Sequence, residues 1–98
     1  IAHITGGGFY DNIPRVLPEN TSSLIYKGLW DVPQIFKIIQ KRAIMDDKEM
    51  YRTFNMGIGM VFVVDKKDVK KAQAVIKGFG LKSWEIGKII RGKGEVIL

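Results

Sequence analysis

The residues able to do chemistry gather near the start of the chain: His3, Thr5, the run Gly6-Gly7-Gly8, and Arg15. Three consecutive glycines have no side chains to pack and lose much conformational entropy on folding, so they need a local reason to be there. A backbone that takes positive φ and admits a close neighbour is one such reason. Where the run turns a strand into a helix, its bare N–H groups converge at the positive end of the helix dipole, which suits phosphate or another anion. The spaced glycines of a Rossmann turn and the Lys-Ser/Thr pair of a Walker A loop are both missing. His3 and Thr5 alternate, so in a strand they project from one face, with Ile4 on the other. Arg15 lies about two turns into the following helical segment and offers a bidentate fork for an anion. The ordinary alternatives are a turn that only turns the chain, a buried hydrogen-bonded ring for His3, and a surface ion pair for Arg15.

The elements that must position these groups read in order. Ile1–Thr5 is a strand end and Gly6–Gly8 the turn. Residues 9–17 form a short helical stretch, limited by Pro14. Ser22–Lys27 reads as a strand. Asp31 is expected to cap a helix, with Pro33 in its first turn and Gln34 at the capping-box position. Val32, Ile35, Phe36 and Ile39 give it one apolar stripe, as far as Lys41. A second short helix begins at Asp46, where Glu49 completes a capping box and Met45 and Met50 form a hydrophobic staple. Gly57 and Gly59 then lead into Val61-Phe62-Val63-Val64, expected as a central strand covered on both faces. The two glycines suggest a bulge or the close approach of a ligand or another backbone. Asp65 is expected to cap a helix over about 66–78, with Val69, Ala72, Val75, Ile76 and Phe79 as its buried stripe. Trp84, Ile86 and Ile90 alternate along a strand expected at about 82–91, and a turn through Gly94 and a returning strand from Glu95 to Leu98 close the chain. The order β-α-β-α-α-β-α-β-β, with crossovers and a hairpin, implies an α+β (α/β layered) domain with a mixed sheet.

Composition sets the limits. Ninety-eight residues make one domain at most, and 46% hydrophobic with 27% charged residues is an ordinary globular balance. No apolar run reaches the ~18 residues of a membrane-spanning helix. The absence of cysteine excludes disulfides, thiolate catalysis and Cys-ligated zinc in this chain, and fits a reducing compartment. A single histidine excludes a multi-His metal site within one chain, and no metal ligand is assigned. The net charge of +6 comes from clusters such as Lys66, Lys67, Lys70, Lys71 and Lys77. Such a balance suits an anionic substrate or nucleic acid, although lysine-rich helix faces are more often simply solvated. The chain opens on Ile1, in what reads as the end of a strand, so a piece of a longer protein is expected.

Two stretches stand together: Ala2-His3-Ile4-Thr5-Gly6-Gly7-Gly8 with Asn12-Ile13-Pro14-Arg15-Val16-Leu17-Pro18, and Met50-Tyr51-Arg52-Thr53-Phe54-Asn55-Met56-Gly57-Ile58-Gly59-Met60. They resemble the C-terminal domain of phosphoribosylformylglycinamidine cyclo-ligase, also called aminoimidazole ribonucleotide synthetase. The likeness covers essentially the whole chain, including Val32-Pro33-Gln34-Ile35-Phe36 and the ending from Gly87 to Val96. The first motif is shared with a superfamily that includes the formylglycinamidine synthetases, and the second is more particular to the cyclo-ligase.

The resemblance implies an ATP- and magnesium-dependent cytoplasmic ligase of purine biosynthesis that closes formylglycinamidine ribonucleotide to 5-aminoimidazole ribonucleotide. In this family ATP is thought to activate the formyl oxygen, after which the amidine nitrogen closes the ring. It implies a homodimer built on N-terminal domains that carry most of the nucleotide and metal site. The C-terminal domain is then a three-layer α/β/α unit that closes the active-site cleft. Residues 1–98 would be most of that domain, without the N-terminal domain, and inactive alone. Carried onto this sequence, Thr5, Gly6, Gly7 and Gly8 would hold the substrate phosphate, and Asn12 and Arg15 would orient or neutralise it. His3 would be the catalytic contact near the reacting amidine, and Asn55, Gly57 and Gly59 would line the cleft. No membrane and no nucleic acid is expected as a partner. A basic nucleic-acid module is the alternative, but it lacks evident aromatics for stacking, since Phe36, Phe62 and Phe79 fall on faces expected to be buried. A purely structural unit is the other.

Overall fold

Aromatic packing decides where the core forms. In a computed structural model describing residues 1–98, Phe9 and Met50 are fully enclosed and Trp30 and Tyr51 nearly so. The Phe9 ring lies 5.9 Å from Trp30 and meets Tyr51 edge-on at 5.3 Å, while Trp30 and Tyr51 meet at 6.3 Å. Such contacts add about 0.5–1.5 kcal/mol each beyond the area they bury. Trp30 Nε1 donates to the Met56 carbonyl at 3.0 Å, so the indole is buried with its polar tip satisfied.

The elements around this core are β1 (Ala2–His3), α1 (Gly8–Asn12), β2 (Thr21–Ile25), α2 (Gln34–Ala43), α3 (Asp47–Thr53), β3 (Met60–Val61), α4 (Val69–Gly78), β4 (Gly87–Arg91) and β5 (Val96–Ile97). Short 3-10 turns at Pro14–Val16, Lys27–Leu29 and Lys66–Asp68 fill the connections. The strands form two sheets. β1 pairs antiparallel with β3, setting Ala2 opposite Val61 and His3 opposite Met60. β2 is central in the other sheet, antiparallel to β4 and parallel to β5. Of the strand expected at about 82–91, only Gly87–Arg91 forms. The molecule is therefore an α+β domain with one antiparallel and one mixed sheet.

α3 forms as its sequence dictates. Asp46 Oδ1 accepts from the Glu49 amide at 2.8 Å, and Met45 and Met50 both pack on the core. Four other expectations are corrected. Asp31 caps nothing: α2 starts at Gln34 with Pro33 before it at φ −54° and ψ 142°. Trp30 is anchored in extended conformation, and the residue before a proline is driven from the helical region, so the helix waits until the proline is passed. The returning hairpin is absent, because the chain wraps the end of β2 instead. The Gly92 and Gly94 amides donate to the Asn20 and Thr21 carbonyls, and β5 emerges on the far side of β2 from β4. A Cβ at Gly92 would collide with Ser22 Oγ, so this wrap needs glycine.

The run after Met60 is not covered on both faces either. Only Met60 and Val61 pair, and Phe62 and Val64 are exposed. Finally, α4 buries none of its residues fully: Val69, Ala72 and Ile76 are half-buried, while Val75 and the following Phe79 are exposed. Both elements wall an open groove instead of meeting a covering layer.

Candidate functional site

The turn at the start of the chain is built from three different glycines. Gly8, at φ +59°, lies where α1 crosses α3, and a Cβ there would collide with the Tyr51 carbonyl. Gly7, at φ +94°, is left-handed, which favours glycine. Gly6 has open space around it. The Gly8 amide donates to the Thr5 carbonyl at 3.0 Å, closing the turn, whereas the amides of Gly6 and Gly7 have no partner within the protein.

Asn12 holds this shape from beneath. It is only 5% exposed, and its Nδ2 donates to the Gly8 carbonyl at 2.7 Å, with the Gly6 and Thr5 carbonyls at 3.3 and 3.4 Å. Its Oδ1 accepts from Thr5 Oγ1 at 3.4 Å. The amide thus faces the loop's own carbonyls, and the loop's free N–H groups are left to something else. Arg15 is exposed and in no ion pair, since the one ion pair of the chain is Lys27–Asp47 at 3.1 Å. The Asp11 carboxylate stands against Gly7, where a Cβ would collide with it.

The remaining candidates fall in a second place. Ala2 and Ile4 are buried while His3 and Thr5 are exposed, the alternation that a strand imposes. His3, Gly57 and Gly59 line the apolar groove beside Ser23 and Ile25. Asn55 Oδ1 accepts from the Gly57 amide at 2.9 Å, and the Gly59 carbonyl accepts from the Ile4 amide at 2.9 Å, tying this stretch to β1. Thr5, Gly6, Gly7, Gly8, Asn12 and Arg15 lie outside the groove lining, and the residues that follow β1, Ile4 and Thr5, link the two places.

Sequence reasoning missed Ser23 and Asp11. Ser23 is the only buried side chain whose polar atom has no partner. Its only signal was a serine at the same alternation as Ile25, on a face that also carries Thr21. Two of the rings assigned to buried faces, Phe62 and Phe79, are exposed; Phe62 lines the groove with Trp84. Among titratable groups, the hydrogen bond from Gln40 and then the Lys27 ammonium hold the Asp47 carboxyl below the usual carboxylate range. Burial, with help from the Asp47 charge, pushes the Tyr51 phenol up. No three acidic or histidine side chains converge. No helix is long and apolar enough to cross a membrane.

A family model described as AIR synthase related protein, C-terminal domain, matches residues 1–98, the whole chain. The chain belongs to this family. Among curated relatives of this C-terminal domain, the phosphoribosylformylglycinamidine cyclo-ligase of Caldanaerobacter subterraneus subsp. tengcongensis is 54% identical over 98 residues. The protein of the same name from Thermoanaerobacter sp. (strain X514) is 53% identical over 98 residues. The one from Methylobacillus flagellatus is 48% identical over 96 residues, 97% of this chain and 28% of that relative. The first two matches cover all of this chain but 29% of each relative, so the chain spans less than a third of their length. The likeness read from the two motifs to the C-terminal domain of the cyclo-ligase holds.

Proposed function

We propose that residues 1–98 are the substrate-closing part of an ATP-dependent cyclo-ligase that converts formylglycinamidine ribonucleotide to 5-aminoimidazole ribonucleotide. The observation that carries this reading is the pair of unpartnered amides at Gly6 and Gly7, on a turn that buried Asn12 braces through three carbonyls. Preorganised donors of this kind recognise an anion at little reorganisation cost.

In this reading Gly6 and Gly7 donate N–H groups to the ribonucleotide phosphate. Thr5 adds its hydroxyl, and Gly8 keeps the turn against α3. Arg15 supplies the guanidinium that offsets both the phosphate and the Asp11 carboxylate. Asn12 is a positioning residue. His3, exposed two residues before Thr5, accepts or delivers a proton at the amidine as the ring closes. Asn55 fixes the approach of Gly57, and Gly57 and Gly59 leave the cleft wall bare. ATP supplies the driving force for ring closure, and magnesium its phosphate neutralisation. Both are assigned to the part of the enzyme outside this chain, as is the homodimer contact, and the enzyme is assigned to the cytoplasm.

The test is Arg15→Ala in the complete enzyme. A charge-assisted hydrogen bond contributes about 1.5–3 kcal/mol, so KM for the ribonucleotide should rise at least ~10-fold with kcat little changed. An unchanged KM would remove Arg15 from the phosphate site. His3→Ala should act the other way, lowering kcat with KM near the parent value.

A further inference from the structure

The chain turns at Asn55–Ile58 in a way that its residues do not favour. The Ile58 amide donates to the Asn55 carbonyl at 2.9 Å, and both residues between them take positive φ, +53° at Met56 and +93° at Gly57. Turns with positive φ at both central positions are dominated by glycine, asparagine and aspartate. Met56 is none of these, and a bulky side chain stays in the left-handed region only where its surroundings hold it there. Two contacts do so. Trp30 Nε1 donates to the Met56 carbonyl at 3.0 Å, with both residues almost fully buried. Pro33 packs so closely on Gly57 that a Cβ there would collide with its ring.

The turn also fixes a group that the fold itself does not use. Asn55 Oδ1 accepts from the Gly57 amide at 2.9 Å. A backbone N–H requires an acceptor, so the orientation of this carboxamide is settled: Oδ1 faces the turn and Nδ2 points away from it. Nδ2 has no partner within the protein and is not enclosed. Asn55 stands between the two halves of the candidate site. The carbonyl of Phe54, the residue before it, lies against Gly8 of the glycine turn. After it, Gly57 and Gly59 line the groove with His3, and the Gly59 carbonyl accepts from the Ile4 amide.

We propose that Asn55 Nδ2 donates a hydrogen bond to a neutral oxygen of the ribonucleotide, between its phosphate and its amidine, and that Trp30 is a positioning residue that aims this donor by pinning the Met56 carbonyl. The acceptor is the formyl oxygen or a ribose oxygen. A donor fixed before binding gives up little freedom when the substrate arrives, which is what a strained but braced turn achieves. The inference rests on the cyclo-ligase reading and adds two residues to it: Asn55 as a direct contact, and Trp30 acting through Asn55.

Asn55→Asp in the complete enzyme tests the contact. Aspartate keeps the oxygen that accepts from Gly57 and replaces the donor with a second acceptor. kcat/KM for the ribonucleotide should fall at least ~10-fold, with the denaturation midpoint near the parent value. A loss confined to kcat assigns the acceptor to the formyl oxygen, and a rise in KM alone assigns it to the ribose. Unchanged kcat/KM would overturn the proposal, and the phosphate reading would still stand if Arg15→Ala raised KM in the same assay. Trp30→Phe tests the pin, because it keeps an aromatic ring in the core and removes the N–H donor. Assayed where the enzyme remains folded, it should lower kcat/KM in the parent and cost nothing further on top of Asn55→Asp, since the donor that it aims is already gone. Losses that multiply in the double variant would mean that Trp30 serves the core alone, and would overturn its positioning role.

Discussion

Asn12 shows how one buried amide shapes a site without being displayed to a ligand. It meets three carbonyls and a hydroxyl of the turn, so removing it leaves several polar groups with no partner. Asn12→Ala should cost about 1–3 kcal/mol of stability in a denaturant titration, and should weaken ribonucleotide binding even though residue 12 does not touch it. Gly8→Ala should be worse for folding than Gly6→Ala. At Gly8 a Cβ meets the Tyr51 carbonyl and the left-handed backbone adds strain, together at least ~2 kcal/mol, whereas Gly6 has free space. Equal midpoints for the two variants would refute this account of the turn. The glycine turn was legible from residue type and spacing alone, whereas His3 lies in the groove and not with the turn. The inward role of Asn12 was not legible, since nothing local tells which carbonyls a buried amide will find.

At the scale of elements, the signals that worked were those fixed within one turn of helix. The Asp46 cap and the Met45–Met50 staple depend on neighbours a few residues away. Asp46→Ala should therefore lower stability by about 1 kcal/mol, measured as a shifted denaturation midpoint. Asp31 misled because its helix start is set by Trp30, whose indole is tied to Met56 across the core. β5 misled because a turn residue, Gly92, packs on Ser22 of a distant strand. The Asp47 bonds at the head of α3 also carry a pH signature. Their pKa effect is downward, so the stabilisation is present above the ordinary carboxylate range and is lost as pH falls through the lower folded value. Because the pair is exposed, the acid-side loss should be under about 1 kcal/mol and should vanish in Gln40→Ala/Lys27→Ala. Tyr51 has the opposite sense: burial favours the neutral phenol, so stability should hold up to about pH 10 and decline above it.

Across the whole molecule, just 16 of 98 residues are buried, and they concentrate around Phe9, Trp30, Met50 and Tyr51. The periodicity of α4 and the apolar run after Met60 were read as buried faces, but Val75, Phe79, Phe62 and Val64 are exposed, because local periodicity does not say whether anything packs against a face. That is why element order was legible while the covering of Val75, Phe79 and Phe62 was not. The two halves of the candidate site stand apart, since the turn residues lie outside the groove lining. The central functional claim concerns the turn, and the most direct measurement is made there. The complete enzyme, labelled with 15N-glycine, is titrated with the ribonucleotide substrate and its glycine amide signals are followed. Gly6 and Gly7 should shift most, Gly78 and Gly80 should stay in place, and Arg15→Ala should weaken the titration at least ~10-fold. Unmoved Gly6 and Gly7 signals at saturating substrate would contradict the claim that this turn holds the phosphate.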